Sequence, residues 1–265
     1  MHVLGYLGAI VMGIMLGLTG SGGAILTVPI LVYLFHIPAV IATGYSLFVV
    51  ALTSSVGFVQ YYRQGNVHLK TALLFSVPSM ISIFLARKTV HVLPEVLLRA
   101  GTFELTTNHA LLTFFALMMI AASYYMIKNS VRPELPITNT GSRYNYSVLL
   151  QGVLIGFFTG LVGSGGGFMI VPALVLFSNI PIKMAVGTSL LTICLNSMMG
   201  FLGDLSSQVD IQWFLLLSFS FLSVVGILVG SSLSRLISSA RLKPAFGYFI
   251  LIMGIAILIK ELFIR

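Results

Sequence analysis

Residues 17–31 read GLTGSGGAILTVPIL, and residues 160–174 read GLVGSGGGFMIVPAL. When the sequence is slid against itself by 143 positions, residues 17–58 align with 160–201 without a gap, and 20 of the 42 pairs are identical. Agreement of this extent between two apolar segments indicates a duplicated structural unit. The two glycine-rich stretches therefore mark the same point in each half of the chain.

The composition predicts an all-α integral membrane protein. Of the 265 residues, 58% are hydrophobic and 8% are charged, whereas soluble domains carry about 25% charged residues. The apolar stretches exceed the ~10 alternating residues of a barrel strand, so they predict helices that cross the cell membrane many times. The single cysteine, Cys194, excludes an internal disulfide and a cysteine metal cluster. No cofactor or metal is expected, and the net charge of +8 fits topology signals and lipid contacts rather than nucleic-acid binding.

Each half divides into five apolar segments. We interpret residues 1–127 as the first transmembrane repeat, 128–146 as a polar linker and 147–265 as the second repeat. The segments run at roughly 3–19, 24–35, 39–62, 69–86 and 110–127, and at roughly 147–162, 167–178, 183–203, 212–234 and 243–260. Segments 24–35 and 167–178 are shorter than the ~20 residues of a full span, so they predict broken or re-entrant helices beside about eight full spans.

The loop charges indicate that the two tandem repeats are inverted in the membrane. Loop 63–70 carries two basic residues and no acid, whereas the equivalent loop 204–212 carries two acids and no base. The positive-inside bias places the first loop in the cytoplasm and the second outside. Five segments per half, with both termini outside, satisfy this arrangement. The alternative is four spans per half with the short segments folded in, which would make the repeats parallel.

The glycine breaks predict a substrate-binding site for an anion. A helix that begins inside the membrane presents free N–H groups and the positive end of its dipole, and glycine lets a ligand approach the backbone. In an inverted pair one break enters from each face, so that two helix starts can point at one central site. The candidate residues at the breaks are Gly20, Ser21, Gly22 and Gly23, with Gly163, Ser164, Gly165, Gly166 and Gly167.

Other small residues are expected to pack helices rather than to bind a ligand. Ala9, Gly13 and Gly17 are spaced four residues apart and align with Gly152, Gly156 and Gly160 in the second half. Small residues at this spacing let two membrane helices approach closely. We therefore expect these six residues at helix contacts.

Polar side chains follow each break on one face of the next segment. Ser46 and Thr53 are seven residues apart, and Ser189 and Asn196 hold the same positions in the second copy. Such a stripe either lines a pathway or forms interhelical hydrogen bonds. Asn196 is the strongest candidate, because a primary amide in mid-membrane is costly to leave without a partner. The two candidates that complete the predicted site are Tyr45 and Thr188.

No charged side chain is expected in the middle of a segment. We assign all six acids, and every Lys and Arg, to segment ends and loops, so that an anion would be held by N–H groups, dipoles, hydroxyls and amides. Efflux of an anion from a negative interior needs no coupling ion, since the potential supplies ~2.3 kcal/mol per charge per 100 mV. No P-loop lysine follows either glycine run. The second half contains no histidine that could act as the base for a serine nucleophile. The chain is therefore not expected to be an enzyme.

The doubled motif resembles the TauE/SafE sulfite exporter family. Its copies follow the pattern G-x-G-G-(G)-x4-P-x-L and then G-[T/Y]-S-L, at Gly20–Leu31 with Gly44–Leu47 and at Gly163–Leu174 with Gly187–Leu190. The resemblance covers essentially the whole chain. It implies transport of small sulfur-containing or carboxylate anions, such as sulfite and sulfonates.

Two positions differ between the copies and leave the identity of the anion open. Ala24 stands where the second copy has Gly167, and Tyr45 stands where it has Thr188. The resemblance predicts a secondary exporter whose partners are a small anionic substrate and the lipid bilayer. The alternatives are an anion channel or facilitator for small carboxylates or sulfonates, and a non-transporting membrane scaffold. The oligomeric state stays open, a homo-oligomer included.

Overall fold

The computed structural model describes residues 2–20, 22–92, 96–100, 103–128, 142–162, 169–171, 173–174, 180, 182–205, 211–234 and 239–263. The helices are α1 (His2–Thr19), α2 (Ala24–Leu34), α3 (Ala39–Arg63), α4 (Leu69–Val92), α5 (Thr107–Lys128), α6 (Ser142–Val162), α7 (Ile182–Leu205), α8 (Trp213–Leu233) and α9 (Ser239–Phe263). A short antiparallel hairpin of β1 (Val96–Ala100) and β2 (Phe103–Thr106), which the sequence did not predict, lies between α4 and α5.

The predicted segments are confirmed as helices wherever the structure describes them. The short segment 24–35 is the 11-residue helix α2. Its counterpart 167–178 is helical at 169–171 and 173–174, but the ends of that helix lie outside the described residues. The segment predicted at 69–86 continues to Val92, so that nearly two further turns are helical at 3.6 residues per turn.

The side chains of α4 show why these helices suit a bilayer. Leu73, Val77, Ile81 and Leu85 recur every four residues and are 52 to 59% exposed, while Ser79 on the same helix is fully buried. Apolar groups outside and hydroxyls inside reverse the pattern of a soluble helix. In the described part of the chain, four helices have the length and apolar composition to cross a membrane: Ala39–Arg63, Leu69–Thr89, Lys183–Leu205 and Trp213–Leu233.

The equivalent helices α3 and α7 pack against each other in opposite directions. Near the start of α3, Gly44 lies against Asp204 in the last turn of α7. At the other end of the pair, Gly187 in the second turn of α7 lies against Tyr61 of α3. The contact therefore runs antiparallel along the length of both helices. We call its two ends the Asp204 end and the Tyr61 end of the bundle.

The first helix of each half packs in parallel on the fourth helix of the other half. Gly13 and Gly17 of α1 lie against the backbone of α8, the first at Ser223 and the second at Ile227 and Ser231. A second contact of the same kind joins α6 to α4: Gly152 lies against Phe75 and Pro78, Gly156 against Ser79, and Gly160 against Ile83 and Ala86. The prediction that these small residues sit at helix contacts is confirmed, because a Cβ at each would overlap the facing helix.

The last helices of the two halves, α5 and α9, form a further antiparallel pair. Gly254 of α9 lies against Met119 of α5, and His109 Nε2 at the start of α5 lies 3.6 Å from Glu261 Oε2 at the end of α9. Tyr33 Oη donates to Glu261 Oε1 at 3.0 Å, which fastens the end of α2 to this pair. Each main helix pairing thus has a counterpart in which every helix is replaced by its equivalent from the other half.

Candidate functional site

The first glycine break turns the chain back along α1. The Gly20 N–H donates to the Leu16 carbonyl at 2.8 Å, and Gly20 adopts φ +70°, a left-handed conformation that glycine takes without a steric penalty. Gly23 then lies against Met12 and Leu16, and Gly8 lies against Ile30 of α2. The helix α2 therefore begins beside Leu16 and runs antiparallel to α1.

The start of α2 lies inside the bundle rather than at its surface. Met12 and Leu16 are seven and three residues before the end of α1 at Thr19, or about 5–10 Å at 1.5 Å per residue. Gly22, Gly23 and the first turn of α2 are buried. The break thus lies between the middle of α1 and the Tyr61 end of the bundle.

The backbone at the start of α2 is only partly capped. The Gly22 N–H donates to Thr19 Oγ1 at 2.8 Å, but no side chain caps the helix at Gly23. Thr27 Oγ1 in the first turn is buried and has no hydrogen-bond partner. A buried helix start with an unpartnered hydroxyl in its first turn is an arrangement that can accept an anion. Ser21 lies outside the described residues.

Polar residues at the start of α7 hold the first break in place. Ser189 Oγ lies 2.9 Å from the Gly20 carbonyl oxygen and 2.7 Å from that of Val186, to either of which it can donate. Thr188 Oγ1 accepts from the His68 N–H at 2.9 Å. Ser189 therefore contacts a predicted site residue, while Thr188 faces the connection between α3 and α4.

The residues of the second break, Gly163, Ser164, Gly165, Gly166 and Gly167, lie outside the described residues. Ser46, the counterpart of Ser189, is fully buried, and its Oγ has no hydrogen-bond partner. The two equivalent serines therefore differ: one is bonded to the first break, and the other is an orphan hydroxyl on α3.

The interior candidates Thr53 and Asn196 are fully buried. Thr53 Oγ1 donates to the Val49 carbonyl of its own helix at 2.7 Å. Asn196 Nδ2 donates to Ser79 Oγ at 2.7 Å, but Asn196 Oδ1 has no partner. The amide is thus fixed by one bond; because Oδ1 is an acceptor, an anion could bind Asn196 only through the second N–H of Nδ2.

Tyr45 lies apart from the first break, toward the Asp204 end. Its hydroxyl accepts from the Gln212 N–H at 2.6 Å, just before the start of α8. Tyr45 also lines a small cleft together with Gly44, Phe201 and Asp204. The structure therefore separates Tyr45 from its equivalent Thr188, which lies at the opposite end of the bundle.

The assignment of Arg87 and Asp204 to loops was wrong, because both residues lie in helices. Arg87 lies in α4 and is fully buried. Its Nε donates to Asp204 Oδ1 at 2.6 Å, and its Nη2 donates to Asp204 Oδ2 at 2.7 Å. Nothing between Ala86 and Val92 ends a helix, since the stretch holds neither Gly nor Pro. Extending α4 by that turn would have placed Arg87 on the same buried side as Ser79.

The sequence of this chain also matches a known protein family. The family model described as Sulfite exporter TauE/SafE matches residues 5–257. The chain belongs to this family. Among relatives of the TauE/SafE chain, the Probable membrane transporter protein YdhB of Bacillus subtilis is 29% identical over 247 residues, which cover 93% of this chain and 96% of the relative.

Two further relatives carry similar names. The Probable membrane transporter protein YjnA of Bacillus subtilis is 28% identical, with 93% of this chain and 95% of the relative covered. A Probable membrane transporter protein of Xylella fastidiosa is 25% identical, with 93% and 90% covered. No solved structure matches the TauE/SafE chain. The family, these names and the apolar helices identify it as a multi-pass membrane protein of the TauE/SafE transporter type.

Proposed function

We propose that the protein is a secondary transporter that exports small organosulfur anions, such as sulfite or sulfonates, across the cell membrane. The observation that carries the proposal is the buried, partly capped start of α2, with the unpartnered Thr27 Oγ1 in its first turn. Sulfite and sulfonates present several oxygen acceptors, and these suit backbone N–H groups and hydroxyls. Loose binding by dipoles rather than by a dedicated cation would favour rapid release.

We further propose that the halves 1–127 and 147–265 are inverted repeats joined by the linker 128–146. The antiparallel contact of α3 with α7 supports inversion. Two equivalent helices related by an axis along the membrane normal would run in the same direction, whereas an axis in the membrane plane reverses one of them. In this arrangement α1, α5, α6 and α9 complete about eight full spans, and the two short helices enter from opposite faces.

The inversion defines the proposed substrate path. The first break lies toward the Tyr61 end, and the second would lie at the equivalent depth toward the Asp204 end. Asn196 Oδ1 and Ser46 Oγ are buried and have no hydrogen-bond partner. We propose that an anion passes from one helix start to the other along this polar stripe, and that it accepts hydrogen bonds from the Ser46 hydroxyl and from the second N–H of Asn196 Nδ2.

Replacement of Asn196 by alanine is expected to lower the rate of sulfite flux at least about tenfold. The change removes the amide that we propose binds the substrate. The same amide is held in place by its bond to Ser79. A hydrogen bond to a charged group contributes about 1.5–3 kcal/mol, which corresponds to a rate change of roughly tenfold or more. The measurement is sulfite flux into or out of liposomes under an imposed membrane potential, with sulfoacetate and the overall uncharged taurine as parallel substrates.

The matched control for this experiment is Met198→Ala on the same helix. Met198 is 59% exposed on the outside of α7, so its truncation should leave flux unchanged. Saturable, potential-sensitive flux that falls only in Asn196→Ala supports the proposal. Flux equal to that of empty liposomes for every anion, from protein that elutes as a folded species, would overturn organosulfur export.

A further inference from the structure

The two ends of the bundle carry interhelical ties at equivalent positions. Tyr61 and Asp204 are 143 residues apart, as are Gly17 and Gly160. At one end Tyr61 donates to the carbonyl of Gly17. At the other end Arg87, which pairs with Asp204, donates to the carbonyl of Gly160. The same acceptor position is therefore used twice, once at each end.

The tie at the Tyr61 end consists of neutral groups. Tyr61 Oη lies 2.9 Å from the Gly17 carbonyl oxygen and 3.0 Å from Ser234 Oγ. Ser234 Oγ in turn donates to the Ser231 carbonyl at 2.8 Å. These bonds join α1 and α3 of the first half to the end of α8 in the second half.

The tie at the Asp204 end is ionic. Besides the two bonds to Asp204, Arg87 Nη1 donates to Thr43 Oγ1 at 2.9 Å and to the Gly160 carbonyl at 3.4 Å. Arg87 is fully buried, and Asp204 is 5% exposed. These bonds join α3 and α4 of the first half to α6 and α7 of the second half.

The two ties lie beyond the ends of the polar stripe, which begins at Ser46 on α3 and at Ser189 on α7. Thr43 precedes Ser46 by one turn on α3, and Gly187, beside Tyr61, precedes Ser189 on α7. A path that ran past the two serines would therefore meet the ionic tie at one end and the neutral tie at the other. Opening either end requires the bonds of that end to separate.

We propose that the two ties are the alternating gates of the transporter, and that their unequal chemistry makes the carrier open more often at the Tyr61 end than at the Asp204 end. This inference rests on the proposed transport function. A bidentate charge-assisted pair holds its helices more strongly than a neutral hydroxyl does, so the Asp204 gate opens less often. Arg63 and Lys70 flank the loop at the Tyr61 end, which the positive-inside bias places in the cytoplasm. A carrier that opens more often at this end loads its anion from the cytoplasm, as an exporter must.

The test is cysteine labelling from each face of the membrane with an impermeant maleimide. Cys194 is the single cysteine, so Cys194→Ser provides a cysteine-free background. Ser189→Cys reports on the Tyr61 gate, and Ser46→Cys reports on the Asp204 gate. We expect Ser189→Cys, labelled from the Tyr61 side, to react at least about tenfold faster than Ser46→Cys labelled from the opposite side, since unequal gates shift the populations of the two states.

The variant that tests the ionic gate is the double substitution Arg87→Gln with Asp204→Asn. It replaces the ion pair by two amides and leaves no charge buried alone. Labelling of Ser46→Cys is expected to rise at least about tenfold, while Lys88→Gln, which removes an exposed cation next in sequence, should change nothing. An unchanged labelling rate of Ser46→Cys in the folded double variant would overturn the ionic gate.

The second variant, Tyr61→Phe, removes one hydroxyl and keeps the ring. It should raise labelling of Ser189→Cys and lower that of Ser46→Cys, by about threefold each, because the neutral gate is weakened. No change in either rate would overturn the neutral gate, whether or not the double variant folds. Labelling needs no substrate. If the labelling rates change as expected but the protein shows no sulfite flux, only the proposed substrate is overturned. Working flux with unresponsive gates overturns only this inference.

Discussion

Arg87→Ala alone is expected to destabilise the protein by about 3–5 kcal/mol, which is the cost of leaving one charge of a buried pair without its partner. The carboxylate of Asp204 would remain buried with both guanidinium bonds lost. Asp204→Ala should cost a similar amount for the same reason. The measurement is the free energy of unfolding of the purified protein in detergent.

The double variant Arg87→Ala with Asp204→Ala separates this effect from lost packing. With both charges removed, the protein should be more stable than either single variant, because no uncompensated charge remains. Lys88→Ala on the exposed side of α4 should stay within about 0.5 kcal/mol of the parent. Single variants within about 1 kcal/mol of the parent would contradict the buried ion pair.

Gly13→Leu is expected to separate α1 from α8 and to destabilise the protein by at least about 3 kcal/mol, the upper part of the range for overpacking. A Cβ at Gly13 would overlap the carbonyl oxygen of Ser223 and lie 2.9 Å from the Ile227 nitrogen. These are backbone atoms of a helix, which cannot move aside as a flexible side chain can. The expected result is a large fall in folded protein, measured by size exclusion and thermal unfolding in detergent.

The equivalent position provides an internal comparison. A Cβ at Gly156 of α6 would lie 2.6 Å from the Ser79 carbonyl oxygen of α4, so Gly156→Leu should be similarly damaging. Val11→Leu on α1 is the control, since Val11 is 44% exposed on the outside of the bundle. Normal folding of both leucine variants would contradict the parallel packing of the first and fourth helices.

Much of the helical pattern could be read from the sequence because it depends on local composition. Apolar stretches ended by polar loops predicted the main helices, and the 12-residue length of segment 24–35 predicted the short α2. The spacing of small residues predicted Gly13 and Gly156 as contact positions. The end of α4 was misplaced by nearly two turns, because the charged residues from 87 onward were assigned to a loop.

The candidate site was only partly predictable. Placing the break and Asn196 on the inner surface followed from glycine content and from the cost of a buried amide. The separation of Tyr45 from the first break could not be foreseen, because equivalent positions lie at opposite ends when paired helices run antiparallel. For the same reason the sequence did not show that Ser189 would bond to Gly20, 169 residues away.

By itself, the sequence determined that the chain belongs in a membrane, that residues 17–58 recur as a similar stretch at 160–201, and that its motif resembles one transporter family. These are properties of composition, length and repetition, and none needs the position of one helix relative to another. The tertiary structure decided that α1 packs on α8 and α6 on α4, and that Arg87 meets Asp204 across 117 residues. A long-range pair depends on helix direction and rotation, which are set by packing between helices rather than by any one segment.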